Sequence, residues 1–159
     1  MKNKNKISIL ISNYNKSKFL PQTLSMLKKQ SYQNFELILF DDVSDDNSLE
    51  IIKKFRNIKL ILNKKKKFSF AALNQINALN ECFKISKGQI ICLLDADDFF
   101  KNNKLSKIKI FFDKNQKAKS VYNFPSAEEH KFRFVNKSSN IWPTIFPTSC
   151  ISLRRKSFE

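Results

Sequence analysis

The chain has 159 residues, 42% of them hydrophobic and 13% aromatic, which suits one globular domain with a real core and argues against a disordered chain. Thirty Lys and Arg stand against 14 Asp and Glu, a net charge of +16. Such a charge suits nucleic acid, an anionic membrane surface or a phosphate-bearing substrate, and equally a solvated Lys-rich surface. No apolar run approaches the length of a membrane-spanning helix.

The start, "MKNKNKISILISNYN", is basic, but its apolar run from Ile7 to Ile11 is shorter than a signal-peptide core. Cys82, Cys92 and Cys150 show neither metal-ligand spacing nor a paired disulfide framework. The expected location is therefore the cytoplasm.

In chain order, "ISILI" (7–11) reads as a first strand, and Phe19, Leu20, Leu24 and Leu27 then recur at helical spacing. Ser17 is the expected N-cap of that helix, with Pro21 in its first turn. "FELILF" (35–40) is a second strand. A short helix from Ser48 to Phe55 is introduced by the turn-prone "SDDNS", and "IKLIL" (58–62) is a third strand. Ala72, Ile76, Leu79 and Phe83 mark the apolar face of a third helix, and Gly88, the single glycine, stands where a helix stop is expected. "QIICLL" (89–94) is a fourth strand, followed by a helix around Lys104 to Phe112 and strands at "KSVYNF" and near "HKFRFV". The tail "IWPTIFPTSCISLRRKSFE" has no evident period. Near-continuous hydrophobicity in the first four strands implies parallel strands buried on both faces. The βαβαβαβ order implies right-handed crossovers and an α/β, mostly parallel sheet with helices on both faces.

In open α/β sheets the ligand crevice lies beyond the carboxyl ends of the strands. Three of the four ends are polar together: Ser12, Asn13, Tyr14 and Asn15; Asp41 and Asp42; and Asp95, Asp97 and Asp98. Three acids set against apolar "IICLL" and "FF" lose hydration and repel one another, so a cation is expected beside them. Tyr14 can stack on a base, and Asp41 or Asp42 can accept from a base N–H. Asp95 and Asp97 can reach a hard divalent ion that keeps some waters and bridges phosphate oxygens. Taken singly, Tyr14 fits a packed aromatic, "DDVSDDNS" a turn and helix cap, and D-x-D a loop. Their joint placement favours a site for a nucleotide diphosphate.

The run from "ISILISNYN" to "DDVSDDNSLEII", followed by "ICLLDADD", resembles the nucleotide-binding half of family 2 glycosyltransferases, which have the GT-A fold. The likeness covers about residues 6–103 and continues loosely to the end. It implies one GT-A-like domain over 1–159, with a donor-binding half at about 6–103 and an incomplete acceptor-side half at about 104–159. It further implies that Ser12, Asn13, Tyr14 and Asp42 hold the nucleoside with Asp41 nearby, and that Asn74 in "FAALN" lines the donor site. Asp95 and Asp97, flanking Ala96, become the D-x-D pair, Asp95 toward the ribose and Asp97 on Mg²⁺ or Mn²⁺. The chain departs from the family at Phe70 and Leu73, where Gly and Arg are usual, and at Ser12 in place of Pro. The diphosphate-facing cation is thus missing from its usual place; Lys64 to Lys67 are candidates to replace it, and equally read as a solvated loop.

The implied reaction is an inverting transfer from a nucleotide-diphosphate sugar to a saccharide or lipid-linked acceptor hydroxyl, for polysaccharide or glycolipid synthesis. Metal and positioning stabilise the leaving diphosphate, and a carboxylate base takes the acceptor proton. In the family that base follows a segment resembling "PTSCISLRRKSFE", so it is expected beyond Glu159, leaving this chain as a fragment that binds a nucleotide and is weak or inactive in transfer. Asp113, Glu128, Glu129 and His130 are poor alternatives. A nucleotidyltransferase needs a Gly-rich phosphate loop that a chain with a single Gly lacks. A basic nucleic-acid module would leave the clustered acids repelling phosphate, so no nucleic-acid partner is expected. The Lys-rich surface also suits peripheral contact with an anionic leaflet at the inner membrane face.

Overall fold

The computed structural model describes residues 6–122 and 148–157. Four parallel strands, β1 (Ile7–Asn13), β2 (Phe35–Asp41), β3 (Ile58–Leu62) and β4 (Ile90–Asp95), alternate with α1 (Leu20–Lys28), α2 (Ser48–Lys53) and α3 (Ala71–Ile85). After α4 (Lys104–Lys114) come β5 (Ser120–Tyr122) and β6 (Ile151–Arg154), the latter preceded by a 3-10 turn at Thr148–Cys150. Among the described residues these form one six-stranded sheet in the order β3-β2-β1-β4-β6-β5.

Period-two alternation puts Ile7, Ile9 and Ile11 on one face with Leu39, Ile90, Cys92 and Leu94, under α1, α2 and α4. Leu10, Ile38, Phe40, Ile91 and Leu93 face the other way, under Ala78, Leu79 and Cys82 of α3. Helices therefore cover both faces, and each fully buried Leu or Ile contributes roughly 1.5–3 kcal/mol to holding them there. The parallel register sets Asn13 beside Asp41 and Ser12 beside Asp95, so the strand ends come out level at one rim.

Five expectations are corrected. β3 is the sheet edge rather than a strand buried on both faces, and Leu62 is 55% exposed. Ser17 does not cap α1. Phe19 holds that position without a side-chain bond, while the Ser17 N–H donates to Asp46 Oδ2 at 2.8 Å. The buried side of α3 runs through Asn74, Ala78, Leu79 and Cys82, and Ile76 is 54% exposed. Small Ala78 and Cys82 let the helix lie close on the sheet, which outweighs burying Ile76. In the tail, Ile151–Arg154 forms an antiparallel strand between β4 and β5. The region of "HKFRFV" and the end of "KSVYNF" lie outside the described residues.

The fifth correction concerns Gly88. Helix α3 ends at Ile85 with Ser86 extended, and Gly88 has no positive φ. Instead, a Cβ on Gly88 would stand 2.5 Å from Ser8 N, 2.6 Å from Ser8 Oγ and 2.8 Å from the Ile7 carbonyl carbon. Only glycine allows this approach to β1. Gly88 N–H donates to Ser8 Oγ (2.8 Å), and Ser8 O–H donates in turn to Glu36 Oε1 (2.6 Å). The Lys59 ammonium and the Lys87 N–H also reach Glu36 (2.8 and 2.6 Å). Burial pushes this carboxyl up, but hydrogen bonds from Lys59, Ser8 and Lys87 outweigh it and hold Glu36 down at about 2. This network ties the rim opposite the strand C-termini.

Candidate functional site

At the strand C-termini lies an open cleft of about 550 Å³. Of the nine expected site residues, Ser12, Asn13, Tyr14, Asp42, Asn74, Asp95, Ala96 and Asp97 line it. Asp41 sits beneath the cleft and is buried. Its Oδ1 accepts from Asn13 Nδ2 (2.7 Å) and Ser44 Oγ (2.7 Å), and its Oδ2 accepts from Ser44 N (3.0 Å). It organises the turn after β2, leaving Asp42 as the second-strand carboxylate that reaches the cleft. Asp42 is nearly buried and accepts from Asn63 Nδ2 at 2.6 Å.

Two loops form the near wall. Asn15 and Asp45 exchange hydrogen bonds at 2.6 and 3.0 Å, and Asp46 accepts from Ser17 N and Ser48 N. Burial raises the Asp46 carboxyl less than the Ser48 and Ser17 hydrogen bonds lower it, and it lies at about 2. "DDVSDDNS" is thus a clamp on the loop carrying Tyr14 as well as a helix entry. Within it Val43 has φ 60°, a left-handed conformation that β-branched residues avoid. Asn74 spends its amide on Phe68, accepting from the backbone N–H (2.9 Å) and donating to the carbonyl (2.8 Å). It therefore shapes the loop before α3.

The acids of β4 differ in surroundings. Asp95 accepts from Gln75 Nε2 at 2.6 Å, and its N–H donates to Ser149 Oγ at 2.9 Å. Burial first, then the charge of Asp98 and, beyond the opposing Gln75 bond, that of Asp97, push its carboxyl up to about 6. Asp97 is more open and meets Lys16 Nζ at 2.6 Å. Lys66 Nζ stands 3.4 Å from the centre of the Tyr14 ring. The cleft therefore combines an aromatic face, two ammonium groups and three carboxylates on one surface. Among the described residues no group of three or more His, Cys, Asp and Glu is placed to hold a metal. Asp95 and Asp97 offer hard oxygen donors only, which suits an ion that takes its remaining positions from water and phosphate.

The family described as Glycosyl transferase family 2 matches residues 8–158. This chain belongs to glycosyl transferase family 2. As a family 2 member it has a sheet of the GT-A type. It superposes on Staphylococcus aureus TarS 1–349 in complex with UDP with a TM-score of 0.72 at 20% identity, covering 94% of this chain and 47% of that one. A mannosyltransferase of Pyrobaculum calidifontis in complex with GDP-Man and Mn²⁺ superposes with a TM-score of 0.70 at 14% identity, covering 94% and 44%. Of the curated relatives, the Escherichia coli UDP-Glc:alpha-D-GlcNAc-diphosphoundecaprenol beta-1,3-glucosyltransferase WfaP is 34% identical over 112 residues, 70% of this chain and 43% of WfaP. The chain spans about half the length of the curated relatives it matches.

Against the family 2 pattern, Leu73, where Arg is usual, is 43% exposed and does not line the cleft. Of Lys64 to Lys67, Lys66 does line it. Sequence reasoning missed Lys16 and Gln75. The first is one of 30 basic residues with nothing in its spacing to mark it, and the second owes its role to the packing of α3 against β4. Among the poor candidates for a base, Asp113 is tied to Lys109 on α4, while Glu128, Glu129 and His130 lie outside the described residues.

Proposed function

We propose that this chain is the donor side of a glycosyltransferase, binding a nucleotide-diphosphate sugar in the cleft for inverting transfer to a saccharide or lipid-linked acceptor in polysaccharide or glycolipid synthesis. One observation carries the reading: Tyr14, Asp42, Asp95 and Asp97 follow β1, β2 and β4, three strands adjacent in the sheet, and line a single cleft. In it the Tyr14 ring stacks on the base, Asp42 accepts from a base N–H, and Asp95 faces the ribose. Asn74 holds the loop that brings Lys66 over Tyr14. Asp95 and Asp97 are the residues that would hold a divalent ion, Mg²⁺ or Mn²⁺. When bound, that ion would neutralise charge on the leaving diphosphate. The acceptor-side base is assigned to no described residue.

A face beside the cleft supports peripheral contact with an anionic membrane at its cytoplasmic side. Residues 51–80 contain no Asp or Glu, and Lys64 to Lys67 adjoin Phe70, 70% exposed, with Leu73 and Ile76 also exposed along α3. Among the described residues no helix is long and apolar enough to cross a membrane.

Isothermal titration with UDP and GDP, with and without Mn²⁺, tests the donor site. Binding by the 159-residue chain that weakens in Tyr14→Ala for every nucleotide is the expected result; no heat with any nucleotide in either medium would refute it. Sedimentation with anionic but not neutral vesicles tests the membrane face.

A further inference from the structure

The loop after β1 aims a cation at the carboxylate that the proposed function gives to a metal. Lys16 Nζ lies 2.6 Å from Asp97 Oδ2, and both side chains line the cleft. We propose that Lys16 is the resident counter-cation of this cleft, holding Asp97 while the cleft is empty and passing to the diphosphate when a nucleotide enters, so that nucleotide binding persists without a divalent ion. The proposal rests on the donor-site reading and adds to it the residue that supplies charge to the diphosphate.

Three observations carry it. The backbone of Lys16 is fixed: its N–H donates to Ser48 Oγ (3.3 Å), and its carbonyl accepts from Phe19 N and Leu20 N (3.0 and 2.9 Å). Its neighbours Asn15 and Ser17 are held by Asp45 and Asp46. The side chain, in contrast, is loosely held. Lys16 and Asp97 are 39% and 37% exposed, and an ion pair that open to water adds little to stability and exchanges partners easily. A rigid anchor with a mobile four-carbon stem is what an ammonium needs to reach either of two anions.

The second observation is the census of charge. Among the described residues, Lys16 and Lys66 are the cations lining the cleft, against Asp42, Asp95 and Asp97. Lys66 rests on the Tyr14 ring, the surface a base would cover, so a stacked base displaces it. Lys16 is paired instead with Asp97, at the D-x-D end to which the proposed function gives the diphosphate.

The third is competition for one atom. An ammonium on Asp97 Oδ2 occupies an oxygen a divalent ion would use, so Lys16 must weaken metal binding in the empty cleft by the same linkage through which metal weakens its hold. A nucleotide relieves the competition because it offers Lys16 a second anion.

The test uses the 159-residue chain with UDP and GDP as probes, Mn²⁺ as the ion, and the variants Lys16→Met and Lys16→Arg, with melting curves to confirm folding. In EDTA, wild type should bind at least one nucleotide, Lys16→Met should bind it about tenfold more weakly, and Lys16→Arg should recover most of the loss. In saturating Mn²⁺ the Lys16→Met loss should shrink to about threefold or less. Mn²⁺ binding to the nucleotide-free protein, read by electron paramagnetic resonance, should tighten in Lys16→Met. If nucleotide binds only with Mn²⁺, or if Lys16→Met matches wild type in EDTA, the Lys16 proposal is overturned while the donor site stands. If no nucleotide binds in either medium, both fall.

Discussion

Asp95 offers the sharpest check on the electrostatics of the cleft. Its carboxyl is raised from 3.8 to about 6, chiefly by burial and by Asp98, with Asp97 adding to the effect. A raised folded-state value means that the proton is held more tightly in the fold. Stability is therefore full below pH 3.8 and is lost as the pH climbs toward 6, where the charged form must be carried in the cleft. At 1.36 kcal/mol per pH unit the rise from 3.8 to about 6 corresponds to about 3 kcal/mol, and water in the open cleft screens about half of it, leaving about 1.5 kcal/mol. Asp95→Asn removes the charge but keeps an oxygen for Gln75 Nε2, and the bond from the residue 95 N–H to Ser149 Oγ is untouched. In EDTA at pH 7.5, Asp95→Asn should be more stable than wild type by about 1.5 kcal/mol, or roughly 3–6 °C in Tm. At pH 4 the two should coincide within about 0.5 kcal/mol. Paired melts at both pH values, by circular dichroism, measure the difference. An equal gain at both pH values, or a loss at pH 7.5, would refute the account, because neither depends on ionisation in the way burial beside Asp98 requires.

Gly88→Ala should cost about 1–3 kcal/mol, since its Cβ would meet backbone atoms of β1 at under 3 Å; urea unfolding within 0.5 kcal/mol of wild type would contradict this. Glu36 is held at about 2 against an ordinary 4.5, so its contribution is present above pH 4.5 and disappears as the pH falls toward 2. Allowing for the half-exposed Lys59, about 1–2 kcal/mol should vanish across that window in wild type and not in Glu36→Gln, as read from acid-unfolding curves. Val43→Gly should relieve the left-handed backbone at φ 60° and raise stability by up to about 1 kcal/mol in urea titrations.

The parallel half of the sheet was legible because strands under helices on both faces need unbroken apolar runs, and "ISILI", "FELILF" and "IICLL" supply them. β6 was not, because Ile151–Arg154 is four residues long and ends in an arginine. That arginine's guanidinium serves the carbonyls of Phe112, Asn115 and Ala118, partners no local pattern reveals. The face of α3 was misjudged since apolar Ile76 points outward while polar Asn74 points in. There, bonds to the Phe68 backbone outweigh the hydrophobic pattern. In the cleft, a parallel register brings strand ends level, so Tyr14, Asp42 and Asp95 could be placed together from order alone. Which of Asp41 and Asp42 faces the cleft depends on the turn at Ser44, and the reach of Lys16 depends on a clamp thirty residues away. Both are tertiary facts.

The position of β6 between β4 and β5 sets the order in which the molecule can be assembled. During synthesis β4 and β5 emerge well before the segment that joins them, and until Ile151 arrives one side of β4 presents open backbone groups. A shortened version ending ahead of that residue should self-associate through this unprotected border, whatever its affinity for nucleotide.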